Sequence, residues 1–91
     1  MTSPHAAVAE AVSAAACRFS VHARAEPGVM PRVLELFAKR GLVPDRWDSS
    51  VVRPGMSLSI DIEIAGLEHD TVDYVASCMR QIAGVELVLT V

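Results

Sequence analysis

Ninety-one residues with 11 acidic side chains against 8 Lys and Arg, 52% hydrophobic and 4% aromatic, make one small domain and exclude a multidomain scheme. A chain of this size buries about 60–65% of the surface its unfolded form exposes, enough for one core but not for an enclosed, lidded active site. The formal charge of −3, with cations scattered singly, offers no basic stripe for phosphates or anionic lipid, so neither nucleic acid nor a membrane is expected as a partner.

In chain order, residues 4 to 17 come first, with seven alanines and no glycine. They are weakly helical by propensity and have little to pack against, so residues 1–17 read as an Ala-rich N-terminal tail ahead of a domain over 18–91. No Lys or Arg precedes the apolar part of the tail, which argues against a secretory leader, and Ala14-Ala15-Ala16-Cys17 is only superficially like a lipoprotein cleavage site. Phe19, Val21 and Ala23 then alternate with Arg18, Ser20, His22 and Arg24, the period of a half-buried strand that Glu26-Pro27-Gly28 stops.

From Val29 the period becomes helical. Val29/Met30, Val33, Leu34 and Leu36/Phe37 form the apolar stripe, Pro31 sits in the first turn, and Gly41 supplies a left-handed cap after Lys39 and Arg40. Arg46 to Val52 reads as a second strand at a sheet edge, since Pro44 leads into it. After the Arg53–Met56 turn, Leu58, Ile60, Ile62 and Ile64 alternate with Ser57, Ser59, Asp61 and Glu63 in the clearest strand of the chain. Asp70 is expected to cap a second helix whose buried stripe is Val72, Val75, Met79 and Ile82, ended by Gly84. Val85, Leu87, Leu89 and Val91 complete the pattern as the inward face of a last strand.

The order is β-α-β-β-α-β, an α+β class. Right-handed crossovers place both helices on one face of a four-stranded antiparallel sheet, the ferredoxin-like arrangement. That fold hosts many functions. An RNA-binding version would display aromatics on the open sheet face, where this chain offers Arg18, Ser20, His22, Arg24, Ser57, Ser59, Asp61 and Glu63. A copper carrier would need paired cysteines after the first strand, where Ala25-Glu26-Pro27-Gly28 stands. Cys17 and Cys78 lie 61 positions apart with no second Cys near either, so no zinc ribbon or redox loop is expected. No nucleophile is tied by spacing to His5, His22 or His69, and Asp61 and Glu63 read as solubilising charges on a wet strand. An acylphosphatase-like site would pair Arg32 with an Asn, which the chain lacks. The expectation is a binding module in the cytoplasm with no catalytic residue, cofactor or metal.

The Pro27-Gly28 bend leads into a helix whose first free N–H groups suit the carboxylate of a small molecule. Here the segment Glu26-Pro27-Gly28-Val29-Met30-Pro31-Arg32-Val33-Leu34-Glu35-Leu36-Phe37-Ala38-Lys39-Arg40-Gly41-Leu42 resembles the start of the first helix of ACT domains, a PGxLxRVxxLFxxRG pattern. It is most similar to the small regulatory subunit of acetolactate synthase in its short, single-domain form. Gln81-Ile82-Ala83-Gly84-Val85-Glu86-Leu87-Val88 resembles the close of that family, so the likeness spans Arg18 to Val91.

The resemblance implies a non-catalytic subunit that binds the thiamine-diphosphate-dependent large subunit and adjusts its activity in branched-chain amino acid synthesis. It also implies a homodimer through edge strands, with effector sites where two protomers meet. An unpaired second strand independently favours such pairing, its edge candidates being Arg46, Trp47, Ser49 and Val51. The effector-binding candidates are Ala25, Glu26, Gly28, Val29, Met30, Val43, Pro44 and Asp45. Regulated members of the family place an Asn at the positions of Ala25 and Val43, so the resemblance also implies weakened effector binding, since each lost polar partner costs about 1–3 kcal/mol. The alternative is a free-standing module that binds a small amino acid.

Overall fold

In the computed structural model, which describes residues 16–91, the chain runs β1 (Ala16–Arg24), α1 (Val29–Lys39), β2 (Arg46–Arg53), β3 (Ser57–Ala65), α2 (His69–Arg80) and β4 (Val85–Thr90). The expected β-α-β-β-α-β order is met. Residues 1–15 of the expected tail lie outside the described residues, whereas Ala16 and Cys17 are the first residues of β1. The strands form one antiparallel sheet in the order β2-β3-β1-β4, which leaves β2 and β4 as its edges.

The two central strands set the core. Their register puts Phe19 opposite Ile62, Val21 opposite Ile60 and Ala23 opposite Leu58, so one sheet face is continuously apolar. Val29, Val33 and Phe37 of α1 and Val72, Val75, Ala76 and Met79 of α2 join these residues in a single cluster, which places both helices on that face. The Phe19 and Phe37 rings meet edge to face, 6.0 Å between centroids, a geometry that adds to plain area burial. On the opposite face Arg18, Ser20, His22 and Arg24 stand across from Glu63, Asp61, Ser59 and Ser57, as the alternation predicts.

Three expectations are corrected. Helix α2 starts at His69 with Glu68 in the extended N-cap position, so Asp70 is not the cap. It lies inside the first turn, where its carboxylate still faces the positive end of the helix dipole. Ile82 falls beyond the end of α2 and is half-buried, and in α1 Met30 and Leu34 leave the core stripe and stay exposed.

The third correction concerns β4. Alternation counted from Val85 sends Leu87, Leu89 and Val91 inward, but the pairing with β1 shifts register between His22 and Ala23. Val85 therefore stands opposite Ala23 and Val88 opposite Val21, both inward positions, while Leu87 and Leu89 stand opposite His22 and Ser20. Val88 is buried, and Leu87 and Leu89 remain 47% and 48% exposed on the open face. The irregularity restores the pleat one residue out of phase, which moves every later side chain to the other face.

Four glycines among the described residues, Gly41, Gly55, Gly66 and Gly84, take positive φ. Gly41 (φ +67°) closes α1 as expected, with its N–H donating to Ala38 and that of Leu42 to Phe37. Gly84 has φ +94°, and a Cβ there would fall 2.8 Å from Cγ2 of Val29. No helix among the described residues is long and apolar enough to cross a membrane.

Candidate functional site

Pro27 and Gly28 turn the chain from β1 into α1, and three backbone bonds hold that turn. The N–H of Glu26 donates to Arg24 (2.8 Å), that of Val29 to Glu26 (3.2 Å), and that of Ala25 to Met56 in the β2–β3 turn (3.1 Å). The last bond fastens the loop to the hairpin carrying β2. Between them lies a cavity of about 240 Å³ lined by Ala25, Glu26, Pro27, Met30, Val51 and Leu58. Glu26 is its one charged wall residue, and its carboxylate is engaged by the Arg24 Nε at 3.0 Å.

The structure thus brings Ala25, Glu26 and Met30 together with Val51, a residue read from sequence only as an edge-strand position. Pro27 and Leu58 also line the cavity. The regular alternation of β3 assigns Leu58 to the core and carries no sign of a second role. Gly28 forms the N-cap of α1 without a side-chain cap. Val29 is wholly buried, so its side chain cannot reach a ligand, and its N–H is already given to Glu26.

Val43, Pro44 and Asp45 lie at the opposite end of β2. There the N–H of Asp45 donates to Glu63 (2.8 Å) and its carboxylate accepts from the N–H of Ala65 (2.7 Å), while Val43 is 81% exposed. Val51 pairs with Leu58 and Arg46 with Glu63, so the two ends of β2 are about 17 Å apart at ~3.3 Å per residue. Within one protomer the two groups of effector candidates do not meet.

The two sheet edges differ. Arg18 and Val91 exchange both backbone bonds, so by antiparallel alternation Val88 turns its N–H and C=O away from β1 toward the free side of β4. The Arg80 guanidinium donates to that Val88 carbonyl at 2.8 Å and closes the edge. On β2, no side chain of the described residues bonds a backbone group. Arg46 and Asp48 pair with each other (2.7 Å), Trp47 is half-buried, Ser49 is exposed, and Val51 is 57% exposed on the helix side. Met30 and Leu34 continue this apolar strip onto α1, at 38% and 50% exposure.

A second cavity, about 250 Å³, gathers Cys17, His69 and Asp73 at the far end of the sheet. Burial pushes the Cys17 thiol up, which favours the unreactive protonated form, and the His69–Asp73 pair (3.6 Å) stands in solvent. His22, Asp61 and Glu63 lie on the open sheet face, where Arg18 is 3.9 Å from Asp61. Among the described residues no group of three His, Cys, Asp or Glu is placed to hold a metal ion.

A βαββαβ sandwich with a small apolar cavity between its first loop and an edge strand defines a ferredoxin-like domain. The profile of the ACT-like domain family matches residues 10–90, and the chain belongs to that family. Membership of that family points to a regulatory, ligand-binding role. No curated protein matches the sequence. Among solved structures, the ACT domain of GTP pyrophosphokinase from Chlorobium tepidum superposes with a TM-score of 0.73 at 10% identity, covering 84% of this chain and 96% of that one. An uncharacterised protein of Thermotoga maritima gives 0.68 at 20% identity, covering 84% and 92%. The C-terminal domain of the MgtC protein from Mycobacterium tuberculosis gives 0.61 at 11% identity, covering 84% of each chain. At these identities the likeness is one of fold.

Proposed function

We propose that this chain is a homodimeric, non-catalytic regulatory or stabilising subunit of acetolactate synthase, acting in branched-chain amino acid synthesis in the cytoplasm. The observation that carries the reading is the position of the loop cavity at the sheet edge, β2, that no side chain among the described residues closes. Antiparallel pairing of β2 with its copy would bury Val51, Met30 and Leu34, and would carry Val43, Pro44 and Asp45 of the partner toward the cavity that one protomer leaves incomplete. The resemblance of Glu26–Leu42 and Gln81–Val88 to the synthase small subunit supplies the partner. With Ala25 and Val43 where regulated members carry Asn, stabilisation of the large subunit comes before feedback control.

The test is to mix the purified chain with the acetolactate synthase large subunit of the same organism and follow acetolactate formation. Stimulation or slower thermal inactivation is expected, and no effect together with no co-elution rejects the assignment.

A second reading, a free-standing module for a small amino acid, is favoured by the size and apolar wall of the cavity, which suit a short aliphatic side chain. Calorimetric titration with each standard amino acid separates the two readings. Heat with one aliphatic amino acid and no effect on the synthase supports the second.

A further inference from the structure

Helix α1 has two unlike flanks. With Val29, Val33 and Phe37 in the core, Met30 and Leu34 turn toward β2, whereas Arg32, Glu35 and Lys39 turn the other way, toward the turn that follows α2. On that second flank an open groove of about 620 Å³ has Leu36 and Ile82 in its apolar floor and Arg32, Lys39 and Arg40 along its rim.

The charges of this groove are not balanced. Lys39 is paired with Glu35 at 3.0 Å, but among the described residues Arg32 meets no carboxylate, and its guanidinium lies over the bare Cα of Gly28. Arg40 is held by neutral groups alone, donating to the carbonyl of Leu36 (3.1 Å), the hydroxyl of Tyr74 (3.3 Å) and the sulfur of Cys78 (3.4 Å), and stacking 5.1 Å from the Tyr74 ring centroid. Among the described residues no carboxylate pairs with its charge. A chain of net charge −3 thus gathers three of its eight Lys and Arg against one carboxylate along a single groove.

The spacing selects the ligand. Arg32 and Arg40 are eight residues apart, ~12 Å along a helix, too far for one carboxylate or phosphate to bridge. Small-molecule sites bury roughly 70–90% of their ligand, which a groove open along its length cannot do. We propose that this groove docks an acidic amphipathic segment of a partner protein, with apolar side chains on Leu36 and Ile82 and carboxylates at Arg32 and Arg40. The partner's being a larger protein rests on the regulatory reading above. Because the groove lies on the flank of α1 away from β2, the proposed dimer leaves it free on both protomers.

The experiment uses a fluorescein-labelled, Ala- and Leu-rich helical peptide with two glutamates eight residues apart, and its glutamine counterpart. Anisotropy should show binding of the glutamate peptide only, weakening with salt, with amide shifts confined to residues 32–40 and 81–83. Arg32→Glu should weaken it roughly tenfold, the scale of one reversed charge contact. The same variant should gain affinity for a peptide with lysine in place of the facing glutamate, a rescue that simple misfolding could not produce. No binding, shifts spread over other surfaces, equal binding of the glutamine peptide, or displacement by inorganic tripolyphosphate at equal charge overturns the proposal. The assay contains no synthase, so its failure beside intact synthase stimulation removes only the groove, and the converse result removes only the synthase.

Discussion

The guanidinium of Arg80 donates to the carbonyl of Val88 at 2.8 Å, and that contact makes the two edges of the sheet unequal. Edge strands present unpaired backbone groups that recruit further strands unless something blocks them. β4 is the more apolar of the two edges, with Leu87 and Leu89 exposed along it and Val91 just past its end, and it is the one with the block. Removing the guanidinium in Arg80→Ala should cost about 1–2 kcal/mol for the lost charge-assisted bond and should yield species larger than those of the wild type. Light scattering after gel filtration measures this, and an unchanged mass distribution would refute the guarding role.

At the other edge, a charge should prevent pairing without touching the core. Val51→Lys and Leu34→Lys alter residues 57% and 50% exposed, so each should stay folded by circular dichroism, with a stability change within about 0.5 kcal/mol per protomer. Both should shift the proposed dimer toward monomer in sedimentation equilibrium. A dimer as tight as wild type in both variants would place the interface elsewhere.

The register shift in β4 predicts an inversion that alternation alone would not. Val88→Ala opens a hole beneath α2 and should lower unfolding stability by about 2 kcal/mol, the sum of lost burial and a small cavity. Leu89→Ser removes a larger side chain from the open face and should cost less than about 1 kcal/mol. Urea denaturation of the two variants decides the point, and the reverse order would restore the simple alternating strand.

Gly84 and Gly55 both have positive φ but differ in surroundings. A Cβ at Gly55 meets nothing within 4 Å, so Gly55→Ala carries only the backbone penalty of about 1 kcal/mol. At Gly84 the new methyl also collides with buried Val29, and Gly84→Ala should lose about 2–4 kcal/mol. Thermal or urea unfolding of the pair reads the difference.

The raised Cys17 thiol has a signed consequence. An acid whose folded pKa lies above its unfolded value keeps its proton longer in the folded state, so its effect is absent below the ordinary thiol value. Above that value, stability falls with rising pH until the folded group also ionises. Wild type should therefore lose more stability than Cys17→Ala between neutral and strongly alkaline pH. Equal losses would show that the thiol is as well solvated as in the unfolded chain.

Much of the architecture is legible in the chain because the two periods are clean. Ser57–Ile64 alternates without a break, Val29, Val33 and Phe37 recur at helical spacing, and Gly41 stands where α1 must stop, whereas α2 stops at Arg80, four residues before the expected Gly84. Such patterns depend on neighbours within one element, and residue order records them. The ACT resemblance lies in the same local stretches, Glu26–Leu42 and Gln81–Val88, and the family match extends to residues 10–90.

Other features depended on relations between elements. Both faces of β4 offer apolar side chains, so local alternation had no means of choosing Val88 over Leu87 and Leu89, and the irregular pairing with β1 chose for it. The order β2-β3-β1-β4 set Val51 beside Met30 and sent Val43, Pro44 and Asp45 to the other end of β2. Arg32 and Lys39, seven residues apart in sequence, share one flank of α1 by helix periodicity, and with Arg40 at the C-cap they line one groove whose far wall is the turn after α2. Periodicity belongs to the chain itself, whereas which strand lies beside which, in what register and with which edge closed, is decided only when the two helices and four strands share one core.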